Sequence, residues 1–552
     1  MEAFRDTLSG GPAHGDRGLV DRRPAVTTGA CWTVSGLLAA TVWAQAAAVS
    51  GATATPASVD DCGVWVIVPS GVGAIPEWRY TTEVPIEGWV KPDFGDSAWK
   101  TGCGGFGTAS TPNTHVRTEW NTKEIWLRQA FALDRAPDGE LFLTIHHDED
   151  TEVYLNGILA ASIGGYNVGH DLVPVAQEAG DSLRPGRNLI AVHCRQTSGG
   201  QYIDIALIRS TLPRWSRGQV QEWYRRQPWP CGFNYVPANA ISYTEMFMEY
   251  GLDPDLIDEE LSLAEDIGFN CMRVVLPFVV WEHDPSAFRK RLDALFGISR
   301  RHGIRLMPAL FDDCSFGLIS DPIYGKQPDV ILGWYANGWT PSPGHTLGRD
   351  VVQWSRLRRY VQDVIGSFRD DERVLAWDLY NEPINGTSLL TAALVDRVFD
   401  WAREVKPAQP LTVGLWCNDA DLNRLCLMRS DIVTFHNYGS PEGLEAEIKR
   451  LLAFGRPVIC TEWLNRPLNS TVAGCLPVFE RTGAGCMHWG LVNGRTQTHL
   501  GWGWRPGKGE PAQWQHDLYH SDHRPYDPSE LSLFRAAIRA KRVAGRAVPA
   551  GK

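Results

Sequence analysis

Trp377-Asp378-Leu379-Tyr380-Asn381-Glu382-Pro383 and Val458-Ile459-Cys460-Thr461-Glu462-Trp463 are two apolar runs of strand character, each closing on a glutamate. A carboxylate carried by a buried strand is costly to desolvate unless it is paired or has a task. Two such groups at C-terminal strand ends suit alternate strands of a parallel barrel, where functional side chains gather on one face. Working outward, further strand candidates are 231–235, 271–276, 305–311, 374–379, 411–415, 432–436, 458–461 and 485–489. Helical patterns at 255–267, 285–302, 351–369, 388–405 and 441–454 alternate with them, and 528–543 follows the last strand. This alternation predicts an α/β chain, with an eight-stranded β/α (TIM) barrel over residues 230–545 and a tail at 546–552.

Before the barrel the period changes. Residues 61–212 carry short alternating runs at 124–131, 140–146, 152–155, 158–162, 188–195 and 201–208, punctuated by Gly, Pro, Asn and Asp. Asn156-Gly157 between two apolar segments is a tight-hairpin signal. An all-β sandwich of jelly-roll type is expected there. Residues 213–229 are mixed and polar and read as a linker. In the barrel, loops 312–350 and 490–527 are long and rich in Gly, Pro and aromatics. Loops of that length in a compact domain are usually walls or lids.

Residues 1–60 read as an extension with a signal segment. No charge occurs from Pro24 to Val59, Arg22 and Arg23 precede an apolar stretch, and Ala44-Gln45-Ala46 has a cleavage-site form. Export to a periplasmic or extracellular space is expected, of bacterial type. An uncleaved N-terminal anchor is the alternative; no membrane span is expected once the signal is removed. The net charge of −11 over 552 residues argues against a nucleic-acid partner, because no basic excess meets the phosphates. Twelve cysteines show no C-x-x-C and no zinc spacing, and Cys231, Cys271, Cys460 and Cys486 lie in apolar runs as small hydrophobes. The 23 tryptophans suit a core and equally suit the C–H face of a sugar ring. Oligomeric state is not readable.

Chemistry that needs two carboxyl groups across one bond is glycoside hydrolysis. One protonates the leaving oxygen while the other attacks the anomeric carbon. The order Asn381-Glu382-Pro383 then Thr461-Glu462-Trp463 resembles the clan A glycoside hydrolases, nearest to family 5, the cellulase-like enzymes. That resemblance implies a retaining β-glycosidase with Glu382 as acid/base and Glu462 as nucleophile. It further implies Arg273 near the nucleophile, Asn381 on substrate, the pair His436 and Tyr438 at strand six, and Trp489 flooring a sugar site. Carbohydrate is the implied partner; no cofactor and no metal are expected. Asn234, Asp312 and Trp463 are weaker candidates.

Other readings stand beside these. Glu382 could complement a helix dipole after its strand. Arg273 could pair Asp378, His436 and Trp489 could be core residues, and Asp312 with Asp313 could form a turn. A catalytically silent glycan-binding protein and a transglycosylase remain alternatives for the whole chain. Asp150-Thr151-Glu152-Val153-Tyr154-Leu155-Asn156-Gly157 resembles the galactose-binding-like sandwich preceding the barrel in family 2 enzymes, which implies either glycan binding or a buttress. The run His146-His147-Asp148-Glu149-Asp150 reads as a solvated turn rather than a metal site. Which sugar, and endo or exo action, has no readable code.

Overall fold

The computed structural model describes residues 63–317, 319–386 and 390–547. The signal segment expected in 1–60 lies outside them. Among the described residues no helix is long and apolar enough to cross a membrane.

Twelve strands form the sandwich: β1 (Val64–Val68), β2 (Glu77–Thr81), β3 (Lys100–Cys103), β4 (Phe106–Gly107), β5 (Thr118–Glu119), β6 (Glu124–Leu133), β7 (Glu140–Asp148), β8 (Asp150–Leu155), β9 (Ile158–Ile163), β10 (Asp171–Pro174), β11 (Gly186–Arg195) and β12 (Tyr202–Ser210). One sheet runs β10-β7-β12-β4-β5 with β1 beside β12; the other runs β3-β2-β6-β11-β8-β9. Asn156 (φ 48°) and Gly157 (φ 90°) make the turn joining β8 to β9, so Leu155 faces Ile158. Side chains alternate along each strand. Leu143, Ile145, Ile203, Ile205 and Leu207 fill the space between the sheets. Phe142, Ala206 and Ile208 point the other way and belong to the barrel's core, where Phe142 meets Phe454. At that seam Glu140 receives Arg214 at 2.6 Å, Arg456 at 2.5 Å and Arg217 at 3.3 Å. Burial would raise its carboxyl, yet the three guanidiniums hold it below its ordinary range.

The stretch read as a polar linker contains helix α1 (Arg217–Arg225), begun by a capping box in which Ser216 and Gln219 bond reciprocally. Val220 is buried against Cys271, Met307, Leu375, Ile432, Ile459 and Met487, from the N-terminal ends of barrel strands. Helix α1 therefore closes the floor of the barrel and leaves the opposite mouth for function.

The barrel strands are β13 (Cys231–Asn234), β14 (Cys271–Val275), β15 (Arg305–Ala309), β16 (Trp377–Asp378), β17 (Leu411–Thr412), β18 (Val433–His436), β19 (Val458–Glu462) and β20 (Gly485–Trp489). All neighbours are parallel, in the order β17-β16-β15-β14-β13-β20-β19-β18. Leu415 closes the ring, donating to Thr434 O and accepting from His436 N. The fourth and fifth strands are shorter than their apolar runs because regular pairing is confined to two residues; isolated bridges at Val374 and Asn381 extend it irregularly. Around the barrel lie α2 (Pro254–Ile267), α3 (Pro285–Arg301), α4 (Trp354–Ser367), α5 (Leu390–Glu404), α6 (Ala420–Arg429), α7 (Pro441–Leu452), α8 (Val472–Thr482) and α9 (Pro528–Ala547). Helix α2 shows why such boundaries form: Asp253 caps it, Pro254 opens it, and Gly268 ends it at φ 99°.

Glu260 of α2 ties down the tip of β13. Its carboxyl accepts from the Tyr235 hydroxyl at 2.7 Å and from Ala238 N at 3.0 Å. Burial pushes it up to about 7 against these donors. Between the ordinary glutamate range and about 7, the unfolded chain is ionised while the folded one keeps its proton. Unfolding then releases a proton, so stability falls as pH rises through that window. Glu260→Gln removes this slope: denaturant melts of wild type and variant should diverge in the variant's favour between pH 5 and pH 8. A constant difference across that range would contradict the assignment.

Candidate active site

Four strand tips converge on one guanidinium. Arg273 of β14 is 1% exposed. It donates through Nε and Nη2 to Asp378 Oδ2 (2.9 and 2.6 Å), and through Nη2 to Asn381 Oδ1 (2.7 Å). Nη1 reaches Asn234 Oδ1 at 3.0 Å and Glu462 Oε1 at 2.7 Å. Burial opposes its charge, but Asp378 and Glu462 outweigh that and hold the guanidinium above its ordinary value. The two pairings weighed from sequence, Asp378 and the strand-seven glutamate, occur together.

Glu462 ends β19. Its second oxygen, Oε2, accepts from the Tyr438 hydroxyl at 2.7 Å, and His436 Nδ1 stands 3.6 Å away. Burial, and then the Glu462 charge, raise the Tyr438 phenol well above its usual range, so it remains a donor. Glu382 faces the pair from the tip of the fourth strand. Its Oε1 lies 2.8 Å from His436 Nδ1, and its Oε2 accepts from Asn385 Nδ2 at 2.7 Å and from the Cys314 thiol at 3.1 Å. Burial would raise the Glu382 carboxyl; the His436, Cys314 and Asn385 contacts outweigh it and hold it low.

One oxygen of Glu382, one of Glu462 and a ring nitrogen of His436 lie within 4.8 Å of one another. Such a set could also ligate a metal ion. However, a divalent cation placed there would stand beside the Arg273 guanidinium, and every oxygen of the two carboxylates already has a donor. The arrangement fits two hydrogen-bonded carboxyl groups better than a metal centre.

The remaining expected residues divide. Asn381 has its amide engaged at both ends, accepting from Arg273 and donating to Asp312 Oδ1 at 2.8 Å. Asp312 also accepts from Trp339 Nε1 at 2.9 Å, and burial pushes its carboxyl up to about 7. Asn234 is wholly buried and bonds Thr461 O and His488 O. These two therefore hold the site from behind. Asp313 accepts from the Tyr380 hydroxyl and from Ile384 N, fixing the backbone after Glu382. Trp489 lines the mouth, edge-on to Trp339 at 5.5 Å and stacked on His516 at 6.0 Å. Trp502 stands edge-on to Tyr438 at 4.8 Å, so both long loops wall the mouth.

Trp463 is a correction. It is wholly buried and packs on Phe479 and Phe534, behind the barrel. A register irregularity explains this: Phe435 pairs with Cys460 but His436 with Glu462, and the extra residue turns Glu462 inward and Trp463 outward. Cys314, Asn385 and His516 were not singled out from sequence for the site. The cysteine gave no signal, because a lone thiol after Asp312-Asp313 in a long loop matches no ligand or nucleophile spacing.

No protein-family model matches the chain, and neither does any curated protein. Among solved structures it is similar to a β-glucuronidase from Bacteroides uniformis (12% identity, 86% of this chain and 69% of that one, TM-score 0.39). It is also similar to the endo-β-1,4-mannanase from Thermotoga petrophila (15%, 58% and 78%, 0.40). A third is a glycosyl hydrolase family 2 member from Bacteroides cellulosilyticus (12%, 77% and 67%, 0.34). Likenesses this distant carry nothing about the site, whose chemistry is read from its own geometry.

Cys314 lends a donor to the charged form of Glu382. Cys314→Ala should therefore raise the Glu382 midpoint in a carboxyl ¹³C NMR titration, and Cys314→Ser should keep it near wild type. An unchanged or lower midpoint in the alanine variant would remove the thiol from this role.

Proposed function

We propose that the protein is a retaining glycoside hydrolase acting on β-linked poly- or oligosaccharide. The observation that carries this is the approach of Glu382 and Glu462, with oxygens within 4.8 Å across one mouth. Direct displacement through a water needs carboxyl groups ~6.5–9.5 Å apart, whereas double displacement uses ~5–5.5 Å. The spacing leaves room for an anomeric carbon and none for a water beside it.

The two carboxyl groups have different surroundings, which divides their roles. Glu462 is held by Arg273 and Tyr438 at its two oxygens and is oriented to attack the anomeric carbon. As the new C–O ester bond forms, the glycosidic C–O bond breaks and its oxygen takes a proton from Glu382. His436 Nδ1 stands 2.8 Å from the Glu382 carboxyl and orients it toward that oxygen. Sugar entry excludes water from Glu382, and the added desolvation favours the neutral, proton-bearing form of its carboxyl. In the second half Glu382 takes a proton from water, which cleaves the ester and restores both groups. Trp489 offers a flat apolar face for the pyranose C–H groups.

Glu382→Gln should lower kcat by roughly 10²–10⁴-fold on substrates with poor leaving groups, with the fold retained by near-ultraviolet circular dichroism. Glu462→Ala should be inactive until azide is added, then yield the α-glycosyl azide from a β-substrate; Glu382→Ala should yield the β-azide. A panel of p-nitrophenyl β-glycosides and β-1,4-glucan, mannan, xylan and galactan finds the sugar. Undiminished turnover in either glutamate variant would sink the reading.

A further inference from the structure

The barrel-facing side of the sandwich changes character along its length. On β7 and β12 the residues pointing that way are Phe142, Thr144 and His146, opposite Ile208, Ala206 and Asp204, with Tyr202 beyond. The first end is apolar and docks on the barrel through Phe142 and Ile208. The far end is polar yet buried. His146 is 2% exposed, Asp204 3% and Tyr202 0%. Docking does not require these groups, and a buried imidazole or carboxylate is expensive without a purpose.

They are held in a built arrangement. His170 Nε2 pairs with Asp204 Oδ2 at 2.9 Å, and Asp204 Oδ1 accepts from Gly71 N at 2.8 Å. The His146 ring stands edge-on to Tyr202 at 4.7 Å and to His170 at 5.7 Å. Burial, then the neighbouring His170, push His146 down to about 4, so its ring is neutral and presents one donor and one acceptor. Between this polar end and the first turn of α6 lies a cavity of about 320 Å³, lined among others by His115, His146, His170, Tyr202, Asp419 and Asp421.

The position of the cavity bears on catalysis. Helix α6 follows the turn after the fifth strand, where Trp416 Nε1 donates to Pro383 O at 2.9 Å, next to Glu382. Asp419 is three residues further on, a span of at most ~10–11 Å. The cavity thus lies on the side of the fourth and fifth strands. That is the side of the proton donor, away from Trp489 on the eighth strand. Its walls select a neutral polyol. Of its lining residues, Asp419 and Asp421 disfavour an anion, Asp421 being also paired with Arg424. Among the described residues, the only three groups close enough to share a metal ion are Glu382, His436 and Glu462. Imidazole nitrogens, carboxylate oxygens and a tyrosine ring together suit vicinal hydroxyls and a sugar face.

We propose that this cleft between sandwich and barrel is a distal carbohydrate subsite, holding a sugar unit on the leaving-group side through His146 and Asp421. The proposal rests on the hydrolase reading and makes the sandwich part of substrate selection rather than only a buttress.

The test uses the full chain with His146→Phe, which keeps the ring packing, and Asp421→Ala on the exposed rim. Substrates are β-1,4-linked hexasaccharides of glucose, mannose, xylose and galactose, each with its p-nitrophenyl β-monoglycoside. For the sugar that wild type turns over, each variant should raise KM for the hexasaccharide roughly tenfold. The monoglycoside, too short to reach the cleft, should keep its kcat and KM. Equal losses on both substrates, or none on either, would overturn the subsite and leave the hydrolase reading standing. Wild-type inactivity on every substrate would instead overturn the hydrolase reading, and the subsite with it.

Discussion

One buried cation organises the mouth of this barrel. The guanidinium of Arg273 binds Asp378, Asn381, Asn234 and Glu462, four residues delivered by three other strand tips. Removing such a cation leaves two buried carboxylates facing each other, at a cost of about 3–5 kcal/mol. An apolar replacement of the whole cluster could be as stable, so stability alone does not account for it. What the cluster supplies is direction. A planar fork with fixed donor angles sets the orientation of Glu462, and through Asn381 it sets the start of the segment bearing Glu382. Each further contact, from Tyr438, His436 and Asp312, refines an orientation that this cation has already imposed.

The same constraint explains what was legible from sequence. A strand ending on a glutamate declares its own tip, so Glu382 and Glu462 could be placed by pattern and order, whereas Arg273 and His436 were expected through the resemblance alone. The alternating barrel and the sandwich were readable because each segment buries apolar residues at its own period. Trp463 was misplaced because the register irregularity that turns it outward leaves no mark in the sequence. Helix α8 was hidden by Gly474 and Pro477, breakers by propensity that packing overrides. Helix α1 was hidden in a polar stretch, because its one buried stripe is centred on Val220. Cys314 and Asn385 come close to Glu382 only through the folding of a long loop and a turn, and no local pattern encodes such a meeting.

Function and architecture also meet at the floor and the seam. Helix α1 seals the N-terminal end of the barrel, so polar chemistry is confined to the mouth. The Glu140 knot and the Phe142 contact fix the sandwich on the flank that carries α6 and α7. That leaves the polar end of its sheet above the turn after the fifth strand. A mobile tether would not hold two polar surfaces in register across a cavity; a seam with three arginines on one half-buried carboxylate does.

The backbone at Glu382 completes the picture. Its φ of 42° is left-handed, a conformation that costs a residue bearing a β-carbon roughly 1–3 kcal/mol. It persists because the flanking chain is overdetermined. Asn381 N donates to Phe311 O at 2.7 Å on one side, and Trp416 clamps the Pro383 carbonyl on the other. An ordinary extended residue there would carry its side chain along the strand's alternation, away from Glu462. The left-handed turn re-aims the carboxyl across the mouth to His436, and a glycine that relieved the strain would remove the group the strain exists to place. Packing elsewhere in the barrel thus sustains a local cost whose effect is the short distance between two acids.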